Sequence, residues 1–244
     1  MKRVLLVVSV VVLLALAVWA QLALRAARPA SAPAVTEGAL AALGGLRSIA
    51  AEVVWFRADR LQDEGRYVEL AQLASTLSFL EPHTPEVWSY AAWNLAYNVS
   101  IMMPTPEDRW RWVLAAIRLL RDEGLRLNPR SAELHRELAW MFELKIGTDI
   151  DSVAALYREK WKEIVEDVML REAWGELGME PQAIAEVGRL SGVTDPTDPQ
   201  FSAIYWAARG LPYATGKDRS ILLEIIRQAK MISERRKSGV TVIK

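Results

Sequence analysis

Gly65 to Tyr97 reads GRYVELAQLASTLSFLEPHTPEVWSYAAWNLAY, and the fold turns on this stretch. Tyr67, Leu70, Leu73, Ala74 and Leu77 recur at intervals of three and four, which places one apolar stripe on a helix. Pro82 stops that helix, because it lacks an N–H and disfavours helical geometry at Glu81. Val87, Tyr90, Ala91, Trp93, Asn94 and Tyr97 then open a second periodic run, so the segment is helix, turn, helix.

The pattern recurs. Leu127-Asn128-Pro129 echoes Leu80-Glu81-Pro82 at an offset of 47 residues. The same offset carries Ala92 to Ala139, Trp93 to Trp140, Leu95 to Phe142 and Glu86 to Glu133. A step back of about 34 residues carries Ala92 to Ala58 and Leu95 to Leu61. A small residue followed three positions later by a bulky one suits close ridge-into-groove packing of helices. The surplus of about 13 residues over a 34-residue repeat falls near Asn98–Asp108 and reads as an insertion. Gly124 departs from the pattern, standing where the first unit has Leu77.

Gly65, Tyr67 and Pro82 stand where tetratricopeptide repeats keep a turn glycine, an aromatic and a terminal proline. The stretch from Ala51 to Asp167 therefore resembles that family. EGRYVELAQLASTLSFLEPHTPEVW, AWNLAYN, DRWRWV, RDEGLRLNP and AIYWAARGL also look similar to segments of bacterial membrane-anchored repeat proteins. The resemblance implies an all-α chain, a solenoid of about three tetratricopeptide-like hairpins with extra C-terminal helices. It implies binding of a protein or peptide in a groove lined by the first helix of each hairpin. It brings no catalytic activity with it.

Val4 to Leu24 is an apolar run broken only by Ser9 and Gln21, and about 20 helical residues cross a bilayer core. Lys2 and Arg3 precede the run; Arg25 and Arg28 follow it. Its length favours a retained anchor over a cleaved signal ending at Val18-Trp19-Ala20. The expected organisation is an anchor or uncleaved signal over 1–28, a linker over 29–37, a repeat region over 38–173 and a helical extension over 174–244. The N-terminus is placed inside and the domain outside, in the extracytoplasmic (periplasmic) space beside the inner membrane.

The whole chain of 244 residues balances 30 basic against 30 acidic side chains. Beyond residue 37 there are 26 basic and 29 acidic residues, a mildly acidic domain with no field to attract nucleic acid. The absence of cysteine excludes disulfides, thiolate metal sites and a cysteine nucleophile. GLPYATGK (Gly210–Lys217) has five residues between its glycines and Asp218 after its lysine, which is wrong for a phosphate loop. His83 and His135 lack partners at metal-binding spacing, and Asp149-Ile150-Asp151-Ser152 lacks the glycine and distal glutamate of a calcium loop. Asn98-Val99-Ser100 matches a glycosylation sequon but falls in or beside a helix. No catalytic constellation, metal site or cofactor motif emerges, and the chain reads as a non-enzyme.

The expected binding groove follows from the three alanines. If they mark close helix approach, the next residue on each helix turns about 100° toward the groove. Those residues are Asp59, Trp93 and Trp140, with Glu52, Glu86 and Glu133 further round: two aromatic anchors beside a row of acids. Such a face suits a partner segment carrying basic and apolar residues. The competing reading is an envelope enzyme, or a module holding a lipid or apolar ligand between helices.

Overall fold

The computed structural model describes residues 34–238. The expected anchor at 1–28 and the tail Val240–Ile243 lie outside the described residues. Among the described residues, no helix is long and apolar enough to cross a membrane. The chain divides into two compact units at Leu46/Arg47, and the clusters and cavities below belong to the second.

Every regular element among the described residues is helical, as the periodicity requires. Helix α1 (Ala34–Asp63) begins directly after Pro33, within the expected linker, and α2 (Tyr67–Leu80) stops before Pro82. Helix α3 runs Pro85–Trp93, widens into a π-helical stretch over Asn94–Val99, and closes with Ser100–Met102. Helix α4 runs Pro106–Arg118, with a π-helical stretch over Leu119–Gly124 and a last turn Leu125–Leu127. Its start is capped: Thr105 Oγ1 accepts the Asp108 N–H at 3.1 Å, and Pro106 occupies the first turn. Helix α5 runs Ala132–Trp140 with a π-helical end, Met141–Ile146, and Ser131 accepts the Leu134 N–H at 3.2 Å. Then follow α6 (Ala154–Leu170), α7 (Pro181–Ser191), α8 (Pro199–Gly210) and α9 (Gly216–Lys237).

The internal repeat is carried into the backbone. Pro85–Trp93 and Ala132–Trp140 are both nine-residue helices, and each widens into a six-residue π-helical stretch, at the same offset of 47. The expected insertion at 98–108 is not a separate loop. It is shared among the end of α3, the short connection 103–105 and the first turn of α4, and α4 continues to Leu127 through a π-helical stretch instead of stopping before Gly124. A third helix start has the same local grammar: Pro196 precedes the capping Asp198 by two residues, as Pro82 precedes Thr84 and Pro129 precedes Ser131.

Ala58, Ala92 and Ala139 are each 0% exposed, as expected of close-approach positions. Gly124 is explained by the same need. A Cβ there would meet Leu134 Cδ1 at 3.3 Å and Trp88 Cβ at 3.4 Å, so α4 nests against α3 and α5 only because the side chain is missing.

Two apolar clusters hold the unit. A small one joins Ala58, Leu61, Leu70, Leu77 and Val87 across α1, α2 and the start of α3. The large one extends from Trp88 to Ala229, so the expected repeat region and the C-terminal helices share one core. Helix α8 is its centre: Pro199 to Ala207 is buried on every side, Gln200 and Ser202 included.

Candidate functional site

A pocket opens among α2, α3 and α4. Val68, Ala71, Gln72 and Phe79 of α2 form one wall, and Trp112, Leu119 and Glu123 of α4 form the other. Trp88, Ala91 and Leu95 of α3 make the floor, while Pro82 and Leu127 lie at one end. The space is about 710 Å³, within the range of roughly 300–1,000 Å³ typical of ligand pockets. Each wall spans twelve residues of helix, about 16 Å at 1.5 Å per step. It is an elongated apolar trough.

The closed end is built from the two repeated proline junctions. The Pro82 carbonyl accepts both the Trp88 indole N–H and the Asn128 amide, each at 2.9 Å, and Asn128 also donates to the Gly124 carbonyl at 3.1 Å. His83 Nδ1 lies 3.3 Å from the Leu127 carbonyl. The turn ending the first repeat therefore braces the turn ending the second.

The residues expected to line an acidic and aromatic groove are distributed as follows. Glu52 and Asp59 are exposed on α1, and Glu86 is exposed on α3. Trp93 is 44% exposed and stacks on Tyr97, ring centroids 5.7 Å apart. Glu133 and Trp140 are half-buried on α5, with the Arg136 guanidinium 5.3 Å from the Trp140 ring centroid. Burial raises the Tyr97 phenol well above its ordinary range, with Glu137 and Glu143 adding to the effect. Tyr97 thus connects the Trp93 patch to α5. Asp59 stands apart, acting on Tyr90.

Beside that patch lies a buried polar cluster that the sequence reading did not single out. Lys145 Nζ donates to Asp151 Oδ2 at 2.7 Å, with both side chains almost wholly enclosed. The Tyr157 hydroxyl donates to the same oxygen at 3.1 Å, and Arg109 Nη1 lies 3.6 Å from Oδ1. Desolvation opposes the Asp151 charge, but Lys145, the Val153 N–H and Tyr157 outweigh it and hold the carboxyl below its ordinary value. The cluster ties α4, α5 and α6 together, and each ion has its counterpart. Its sequence signal was a Glu and a Lys inside the apolar run WMFELKI, Trp140–Ile146.

The weaker motifs find structural roles. At Gly210 a Cβ would lie 2.8 Å from His135 Cβ, so this glycine marks a tight crossing of α8 and α5, not a phosphate loop. His135 is buried against Trp206 and Tyr213, its Nδ1 is 2.7 Å from the Ser131 carbonyl, and burial lowers its pKa. Asn98 is half-buried and bonds to Asn94, inside the π-helical stretch. Among the described residues, no group of three or more His, Cys, Asp or Glu is arranged to hold a metal. No protein-family model, curated protein or solved structure matches the chain.

Proposed function

We propose that the chain is an α-helical solenoid scaffold that binds a partner protein, laying an amphipathic helix of that partner in the trough between α2 and α4. The observation that carries this reading is the mostly apolar trough between α2 and α4, floored by α3, with walls about three helical turns long. A helix presenting residues at i, i+3, i+4 and i+7 would fill such a space. The trough's length favours a helix over a compact apolar ligand. The row of acids with Trp93 and Trp140 is a secondary contact surface in this reading. The sequence expectation of a membrane anchor over 1–28, with the domain on the extracytoplasmic side, completes it: a scaffold held at the bacterial inner membrane.

The test fills the trough from its rim. The full chain is purified in mild detergent, with the co-purifying protein identified by mass spectrometry, and compared with Gln72→Trp and with Glu69→Ala on the exposed side of α2. Loss of the partner in Gln72→Trp alone, with an unchanged melting temperature, is the expected result. Equal capture by all three proteins would overturn the reading.

A further inference from the structure

A second cavity, sharing no lining residue with the trough, lies between the π-helical end of α5 and one face of α9. It has a volume of about 380 Å³ and is lined by Trp140, Glu143, Lys217, Ser220, Ile221, Glu224, Ile225 and Gln228. The α9 residues recur at three and four, so Ile221 and Ile225 give an apolar wall while Glu224 and Gln228 stand at one end. Glu143 is 2% exposed, and its Oε1 has no hydrogen-bond partner. A buried carboxylate oxygen left without a donor is costly, and the deficit is what an incoming donor would repair.

We propose that this cavity is a binding site for an organic cation, an ammonium or guanidinium group on an apolar stem. Glu143 and Glu224 supply the counter-charge, Gln228 a further polar contact, and the Trp140 ring with Ile221 and Ile225 the wall for the stem. Two carboxylates are too few for a divalent metal, which takes six or more oxygen ligands in calcium sites, whereas one ammonium has three donors to satisfy.

The neighbouring charges are accounted for. Glu224 is ionised and held low, to about 2, by Arg227 and Gln228. Lys145, on the same π-helical stretch, is engaged by Asp151. Arg136 pairs with Asp218 and Glu137. Lys217 is exposed and lies seven residues from Glu224 on α9, about 10 Å along the axis. Tyr97 of α3 stays neutral, and Gln200 of α8 donates its amide to the Glu143 backbone carbonyl at 3.0 Å. Burial, then the Glu224 carboxylate, push the Glu143 carboxyl up to about 7, and burial also raises Glu137, which pairs with Arg136. Below pH 7 Glu143 therefore holds a proton that an arriving cation displaces.

Titration calorimetry on the full chain in detergent, with n-butylammonium and n-butylguanidinium as probes, tests the proposal. Affinity should rise about tenfold per pH unit below 7 and level off above it, with one proton released per cation bound below pH 7. Glu143→Gln should abolish binding and proton release while keeping the fold, and Glu224→Gln should weaken binding. A lysine-bearing peptide compared with the free amines then assigns the source: tighter binding of the peptide marks a partner's side chain, tighter binding of the amine a small molecule. Absence of binding by either probe, equal binding of neutral n-butanol, or unchanged binding in Glu143→Gln would each overturn it.

Discussion

Asn128 donates its side-chain amide to the carbonyl of Pro82 at 2.9 Å, joining the two turns that the sequence repeats. The bond closes one end of the trough and fixes the spacing between its walls. Asn128→Ala removes this bond and the one to the Gly124 carbonyl, while Pro82 keeps its bond from Trp88. A loss of about 1–2 kcal/mol in a denaturant titration is expected. A wild-type midpoint would show that the brace contributes nothing.

The Lys145–Asp151 pair gives a sharper stability test. Asp151→Leu leaves the buried Lys145 charge unmatched, and Lys145→Met leaves Asp151 only the longer contact to Arg109, so each should cost about 3–5 kcal/mol. The double replacement should recover most of that loss, since apolar side chains of similar volume remove the desolvation penalty as well as the attraction. Additive losses in the double-mutant cycle would mean that the two do not act as a pair.

Glu143 and Asp151 make opposite contributions to the pH profile. The Asp151 carboxyl is held low in the folded state, so its contribution is present above its unfolded pKa and lost as pH falls through the folded one. The Glu143 carboxyl is held high, so the folded state binds the extra proton and stability falls as pH rises from about 4.5 to about 7. Without ligand, Glu143→Gln should leave stability at pH 4 nearly unchanged and raise it by about 3 kcal/mol above pH 7.5. Parallel wild-type and variant profiles would show that Glu143 titrates normally.

Packing divides the tryptophans. Trp93 is 44% exposed and Trp161 is 1% exposed beside Phe142. Trp161→Ala should cost about 3–5 kcal/mol, and Trp93→Ala well under half of that. At the repeat positions, Ala92→Leu or Ala139→Leu should overpack the helix crossings and cost about 1–3 kcal/mol. Thermal denaturation checks all four.

Local signals explain what was legible in the sequence. The stops at Pro82 and Pro129, and the caps Thr105, Ser131 and Asp198, act within a few residues of themselves, so helix order followed from them. The 47-residue offset survived because matching residues build matching helices, down to the π-helical stretches after Trp93 and Trp140. The junction at Pro196 lies 67 residues beyond Pro129, outside the 47-residue offset, so the repeat does not reveal it. Asp151 accepts the Val153 N–H just before α6, and its pairing with Lys145 depends on how α5 turns into α6. The trough was not legible at all. Val68, Phe79, Trp112 and Leu119 read as ordinary apolar helix positions, and only the packing of α2 and α4 brings them to one pocket.

The most direct test of the scaffold reading is site-specific photo-crosslinking in living cells. A benzophenone amino acid is placed at Gln72 or Glu123 on the trough's rim, and at Glu69 or Arg118 on exposed faces of the same helices. The account predicts one protein adduct from both rim positions and none from the controls. The crosslink should map to a single partner segment with apolar residues spaced at three and four. Adducts to lipid alone, or equal yields from rim and control positions, would contradict it.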